Sequence, residues 1–332
     1  MSEARSLSIV PLQDAHLRDA ANLVAARYGA LRRQVPELPA QYQVASSFLP
    51  RLRNLAAGAP GAAALRGGRL AGFLAAGMTP ERRGRRTIYS PEWANGAEET
   101  DARRIYDEMY AAMSAHWVAE RYFDHYVTMF AHDRDGIEAW QWLGFGYVVI
   151  DALRDLAPLA GCLPQVEIRQ AGANDHEAAL ALWRGLNKHL AAAPTFLVDA
   201  RHAQADEFEA WLRDPSHALW LAFQGGEAVA SMGIGPANSD ACTIIRDEGT
   251  ASIVSAFTRT DARGGGLGSA LLDRALAWAR AGGYTRCAVG FWTMNTLAAR
   301  FWPRHFRPVC YSLGRVVNEH IVVDQTDEDR DH

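Results

Sequence analysis

Residues 263–268 read Arg-Gly-Gly-Gly-Leu-Gly, four glycines in six positions, and Ser269 opens the amphipathic run that follows. Without a Cβ, glycine lets a ligand approach the backbone closely. Leu267, Leu271, Ala275 and Trp278 recur at helical spacing, an apolar stripe that would pin a helix to a sheet. A helix start fixed in this way offers unpaired N–H groups and the positive end of its dipole, a setting suited to phosphate. The plainer alternative is a flexible turn ahead of a helix. Two familiar phosphate loops do not fit. The dinucleotide pattern GxGxxG meets Ser269 or Leu271 at its last glycine, and the lysine of a Walker loop is absent.

The elements around this loop follow from pattern. TASIVSAFTRT (250–260) is rich in β-branched and aromatic residues and reads as a strand leading into the loop. Gly282-Gly283 ends the helix, TRCAVGFWT forms a further strand, and LAARFWPRH a short helix. Upstream, VEIRQA alternates like a strand, Asn174-Asp175 offers an N-cap to AALALWRGLNKHL, and a second helix is expected near 203–212. HALWLAFQ and EAVASMGIGP form a hairpin across Gly225-Gly226. The first half follows the same plan: strand LSIVPL, helix HLRDAANLVAARYG, a hairpin turning at Gly67-Gly68, a long helix near 101–121, strand DHYVTMF, then GIEAWQWLGFGYVVI. Ile9 to Trp140 and Ile168 to Trp302 span nearly equal intervals, which suggests a duplication. The break at LAPLAGCLPQ divides the chain into a domain at 1–157, a linker at 158–165, a domain at 166–323 and an acidic, disordered tail at 324–332.

A chain of 332 residues suits about two domains, and 49% hydrophobic with 22% charged residues is a globular composition. A net charge of −4 argues against a nucleic-acid or membrane-surface protein. No secretory start and no run of about 18 apolar residues is present, so a cytoplasmic protein, monomer or homodimer, is expected. Cys162, Cys242, Cys287 and Cys310 are widely spaced and read as reduced thiols. The histidines have no ligand spacing, so no metal is expected. The basic run ERRGRR (81–86) could attract phosphate but reads equally as a solvated loop. Trp93, Trp183, Trp211, Trp220 and Trp292 are expected in core or interdomain packing, where some would line a pocket if a ligand lies between the two halves.

RGGGLG resembles the acetyl-CoA pyrophosphate loop of the GNAT superfamily of N-acetyltransferases, Arg or Gln, any two, Gly, any one, Gly or Ala: Arg263, Gly266 and Gly268 match. NTLAARFW (295–302) resembles the family's downstream stretch through Asn295, Ala298 and Phe301. WLGF (142–145) and the order of elements extend the likeness to the first half, which has no such loop. The resemblance implies an α/β (α+β) fold of two tandem GNAT-like domains, the first degenerate, each a mixed, mostly antiparallel twisted sheet flanked by helices. It implies that free backbone groups of Ala256, Phe257 and Thr258 bind the pantetheine arm and acetyl carbonyl. Backbone N–H groups of Arg263, Gly264, Gly265, Gly266, Leu267, Gly268 and Ser269 would hold the pyrophosphate, and Asn295 would contact the cofactor arm. Asn295 also reads as a helix N-cap, and Phe301 as a core residue or a flank of the cofactor.

The implied reaction moves an acetyl group from acetyl-CoA directly to a primary amine of a small-molecule or peptide acceptor. Such an amine, with a pKa of about 10.4, must first lose a proton. The Thr258 N–H falls where the developing oxyanion needs a donor. The family's acid is often the Tyr of Phe-Tyr, but Trp302 stands here and cannot serve. The strand offers Val254 and Ser255 where a carboxylate often sits, leaving Asp247, Glu248, Tyr311 as a possible acid, or attack by neutral amine with water as proton carrier. The missing carboxylate and tyrosine also suit a non-catalytic acyl-CoA-binding regulator or sensor.

Overall fold

The computed structural model describes residues 6–82, 85–159, 166–197, 205–237 and 241–321. The expected linker beyond Leu159, with Cys162, lies outside the described residues, as do Arg83 of the basic run and the acidic tail. The chain forms two compact units.

The first unit takes residues 40–148 with the N-terminal stretch to Gln34 and the chain from Cys310 onward. Its elements are β1 (Leu7–Pro11), α1 (Asp14–Gln34), α2 (Leu49–Gly58), β2 (Gly61–Arg66), β3 (Arg69–Ala75), β4 (Gly77–Arg82), β5 (Arg85–Ser90), β6 (Asn95–Ala97), α3 (Ala102–Ala119), β7 (Asp124–Phe130), α4 (Arg134–Trp142) and the start of β8 (Gly146–Arg154). β1, β2, β3 and β6 form one antiparallel sheet. β5 pairs with β4 antiparallel and with β7 parallel, and residues 310–316 pair with β7. The core gathers under α3, where Tyr106, Tyr110, Trp140 and Phe145 meet edge to face or tilted.

The second unit takes residues 149–309 with 35–39. It contains β9 (Glu167–Gln170), α5 (His176–Ala191), α6 (Ala205–Arg213), β10 (Ala218–Gln224), β11 (Glu227–Pro236), β12 (Thr250–Thr258), α7 (Leu267–Ala281), β13 (Arg286–Trp292), α8 (Thr296–Phe301) and the start of β14 (Arg307–Val316). Strands β9, β10, β11 and β12 are antiparallel neighbours, β12 and β13 run parallel, and residues 149–154 of β8 close the sheet against β13. The stripe expected on α7 is buried: Leu267, Leu271 and Ala275 pack on one sheet face. α5 and α6 cover the other face through Leu182, Trp183, Phe208 and Trp211.

The hairpins turn as expected, with both glycines of each pair at positive φ: Gly67 and Gly68 at 58° and 79°, Gly225 and Gly226 at 58° and 84°. The domain boundaries at 157 and 166 do not divide the compact units. GYVVIDALR is one unbroken nine-residue strand whose last six residues find their ladder partner in β13, while Cys310–Val316 find theirs in β7. Register decides, not chain order. Asp175 stands at the N-cap position of α5 as expected, but its side chain bonds no N–H of that helix; it accepts instead from Gly172 N–H at 2.7 Å across the preceding 3-10 turn and holds Arg169. Among the described residues, no helix is long and apolar enough to cross a membrane.

Two histidines of the first unit are held neutral. His125 is 1% exposed, with Nδ1 2.8 Å from Tyr110 Oη and Nε2 3.0 Å from the Tyr122 carbonyl. Burial lowers its pKa to about 4. Burial, with Arg27 and Arg33 nearby, lowers His132 to about 4 as well. The unfolded chain takes up these protons near pH 6.5 and the folded chain only near 4. Stability is therefore full above about 6.5 and falls as the pH drops toward 4, with His125 accounting for about 3 kcal/mol at the low end. Urea midpoints across this window should decline steadily, and a flat profile from pH 7 to 4.5 contradicts the account.

Candidate active site

β12 and β13 are paired over only four residues each, Thr250–Ile253 against Arg286–Val289. Beyond that point β12 stays with β11 while β13 stays with β8, and the sheet opens into a V. The register of β12 against β11 skips Val254, a bulge at the opening. Such a bulge increases local twist and re-aims the strand.

Past the bulge, antiparallel alternation sets which backbone groups face the opening. Arg259 N–H donates to the Val229 carbonyl at 2.9 Å, so Arg259 and Phe257 turn toward β11 while Ala256 and Thr258 turn away from it. The Thr258 carbonyl accepts from Arg263 Nε at 3.0 Å, consistent with that direction. Of the three expected strand residues, Phe257 therefore behaves differently. Its backbone lies opposite Ser231, and its ring packs against Gly185 of α5, 2.7 Å from where a Cβ would stand.

The glycine loop follows directly. Gly264 and Gly266 sit at φ 85° and 79°, and Gly266 caps α7 with no side-chain hydrogen bond. A Cβ on Gly264 or Gly265 would meet nothing within 4 Å, so the face of the loop is open. The first turn of α7 thus offers its N–H groups to an anion, as phosphate requires. Behind the loop, a Cβ on Gly268 would come within 3.2 Å of the Phe301 ring, which is partly buried against the core. Ser269 Oγ lies 3.3 Å from His305 Nε2, and burial, then Arg154 and Arg304, lowers the His305 pKa.

A groove of about 940 Å³ runs along this side of the unit, lined by Gly185, Lys188 and His189 of α5 and by Phe257, Arg259 and Arg263. Arg169 is tied to Asp175 and Glu167, and Arg259 to Asp261 and Glu227. Lys188 and Arg263 make no carboxylate pair among the described residues, so their charge faces the groove. Asn295 caps α8, accepting from Ala298 N–H at 3.3 Å, and its Oδ1 is 3.4 Å from His189 Nε2. The cap reading is realised, and it sets Asn295 beside the end of α5.

The expected proton carriers scatter. Asp247 is bound to Arg286 and Thr250 at the beginning of β12, at the closed end of the V. Glu248 is exposed at that same end. Trp302 is 5% exposed and stacked edge-on with Phe301 and Phe306, a core residue. Tyr311 belongs to the first unit, where its ring centroid is 5.2 Å from that of Tyr147, so the second unit does not itself supply it. Burial of the Cys287 thiol pushes its pKa up to about 12, which makes it inert.

One carboxylate was missed. Asp151, on β8, is 5% exposed and directly opposite Gly290, the first β13 residue past the paired run with β12. Its Oδ1 lies 3.5 Å from where a Gly290 Cβ would be, and Gly290 is exposed. Opposite residues of an antiparallel pair point to one face. Val289 and Phe291, on the alternate face, pack with α7, so Asp151 points to the other side. The available signal was a lone carboxylate inside the apolar run VVIDAL.

The first unit has the same frame but fills it. β5 and β7 pair in parallel over Thr87–Ser90 and Asp124–Val127, and beyond them Asn95, 1% exposed, donates to the Thr128 and Pro91 carbonyls at 3.1 and 3.0 Å. Asp133 caps α4 in the place Asn295 holds before α8, but it is ion-paired to Arg27 of α1. Before α3 stand Glu98, Glu99 and Asp101 instead of glycines, with Glu98 and Asp101 ion-paired to Arg66 of β2.

Residues 183–306 match the family model described as Acetyltransferase (GNAT) family. No curated protein sequence matches the chain. Among solved structures, a GCN5-related N-acetyltransferase from Sphaerobacter thermophilus is similar at 14% identity over 96% of this chain and 98% of that chain, with a TM-score of 0.58. A GCN5-related glucosamine N-acetyltransferase region of a fungal multi-domain GH3 β-N-acetylglucosaminidase is 12% identical over 93% of this chain and 38% of that one, TM-score 0.51. A tandem GNAT protein from the clavulanic acid biosynthesis pathway is 13% identical over 96% of this chain and 100% of that chain, TM-score 0.46. At these identities the likeness is one of fold. The family generally uses acyl-CoA. With one frame open and the other filled, calorimetric titration with coenzyme A should give one site per chain, and two equivalent sites contradict this account.

Proposed function

We propose, from the match of residues 183–306 to the GNAT acetyltransferase family model and that family's general acyl-transfer chemistry, that the second unit transfers an acetyl group from acetyl-CoA to a primary amine of a small-molecule or peptide acceptor, directly within a ternary complex. The observation that carries this reading is the V between β12 and β13. It turns the backbone of Ala256 and Thr258 toward an opening that leads to an uncapped, glycine-rich helix start. A linear pantetheine arm ending in a diphosphate matches that sequence of groups.

In this reading the diphosphate takes the N–H groups of Gly264 to Ser269, with Arg263 and Lys188 supplying positive charge. The arm adds hydrogen bonds to Ala256 and Thr258 as an extra strand would. Since the Thr258 carbonyl is already engaged by Arg263, its N–H is the group left for the acyl oxygen. The acceptor enters from the α5 and α6 side of the sheet, where Asp151 takes the ammonium proton. The freed amine attacks the thioester carbonyl and forms the new C–N bond. The C–S bond breaks and the thiolate leaves with the sulfur electrons, and the second proton lost by the nitrogen passes through groove water to that thiolate. A thiol pKa of about 8.5 makes this an adequate leaving group, reprotonated by groove water. The lack of a carboxylate at Val254 and Ser255 favours a second reading, a non-catalytic acyl-CoA sensor.

Thiol release with a panel of amines separates the two. Turnover that disappears in Gly266→Leu, which forces a branched side chain to φ 79°, supports the enzyme. Binding of acetyl-CoA with no turnover on any amine supports the sensor. Asp151→Asn should lower kcat by about 10²- to 10⁴-fold while leaving the KM for acetyl-CoA unchanged. An unaltered kcat removes Asp151 from the mechanism.

A further inference from the structure

The first unit, whose cofactor frame is filled by its own side chains, carries a second concave surface of about 740 Å³. It is lined by one face of α4, through Arg134, Glu138 and Trp142, and by Tyr147 and Tyr311. The chemistry of this face is unusual in four respects. Trp142 is 65% exposed, yet it is pinned: Arg103 stacks on its ring at 4.6 Å, and its Nε1–H donates to Glu138 Oε1 at 3.1 Å. Tyr147 is also 40% exposed, and its ring meets that of Tyr311 at 61°. Among the described residues, the Arg134 guanidinium has no hydrogen bond or ion pair and the Tyr311 hydroxyl has no hydrogen bond. Arg134 and Glu138 stand one helical turn apart and nonetheless do not pair, although neighbours at that spacing commonly do.

Rigid, exposed aromatic surface beside an unpaired cation and anion describes the binding face for a flat ring that carries both charges. We propose that this surface is a binding site for an aromatic amino acid. The ligand ring lies against Trp142 and Tyr147, whose orientation is fixed before binding, so little rotamer freedom is lost. Its carboxylate accepts from Arg134 and from the Tyr311 hydroxyl. Its ammonium donates to Glu138, whose second oxygen is not engaged by the indole. A burial-raised pKa, reinforced by Tyr147, keeps the Tyr311 phenol protonated as a donor.

Equilibrium titration of the full chain with L-tryptophan and L-phenylalanine tests this, with 3-phenylpropionate, phenethylamine and L-alanine as comparators. The two aromatic amino acids should bind at one site. Loss of either charge or of the ring should weaken binding by at least about tenfold. Arg134→Ala and Trp142→Ala should each reduce affinity to a similar extent. Glu138→Gln, which keeps an acceptor for the Trp142 N–H and removes only the charge, should do the same. These side chains are exposed, so the variants should retain the parent circular dichroism and coenzyme A binding. No binding of either amino acid overturns the proposal. So does equal binding of the comparators that lack one charge, or unchanged affinity in Glu138→Gln or Arg134→Ala.

Discussion

The second unit depends on a parting of two parallel strands. A sheet interior normally leaves no backbone N–H or C=O unpaired, because each such group hidden from water costs about as much as a lost hydrogen bond. After Ile253 and Val289 the ladder between β12 and β13 stops, and the groups on the facing edges need another partner. The bulge at Val254, the turning of Ala256 and Thr258 away from β11, and Arg263 reaching back to the Thr258 carbonyl all follow from that one interruption. The loop after β12 then has to deliver a helix start beside the opening, and only glycine adopts the positive φ at 264 and 266 without strain.

The first unit has a comparable parallel pair, β5 and β7, that no glycine loop follows. In the first unit a buried asparagine, an Arg27–Asp133 pair and three carboxylates before α3 occupy the corresponding places. The asparagine meets the Pro91 and Thr128 carbonyls from within the chain, while Glu98 and Asp101 pair with Arg66. Trp140 and Trp302 stand at the same sequence distance after the N-caps Asp133 and Asn295, and both are buried, so the two turns pack alike although their neighbouring chemistry differs.

Much of this was legible in the residues. The hairpin glycines, the apolar stripe of α7 and the strand before the loop are local signals, carried by φ preference and periodicity, and each element formed where its pattern stood. The exchange of β8 and β14 was not legible, because GYVVIDALR has no internal marker for where its ladder partner changes. Nor was the placement of Asp151 opposite Gly290, a register that only the assembled sheet defines. Phe257 shows the finer limit. The strand could be identified from its composition, but which of its residues present their backbone to the opening depends on hydrogen-bond alternation with β11.

The central claim is that the opening between β12 and β13, continued by the glycine loop, is the acyl-CoA site and that the first unit has none. Amide hydrogen exchange with and without saturating acetyl-CoA tests it most directly. The account predicts slowed exchange at Ala256, Thr258, Gly268 and Ser269, with no change across residues 87–101. Slowed exchange at 87–101, or none at the four amides of the second unit, contradicts it.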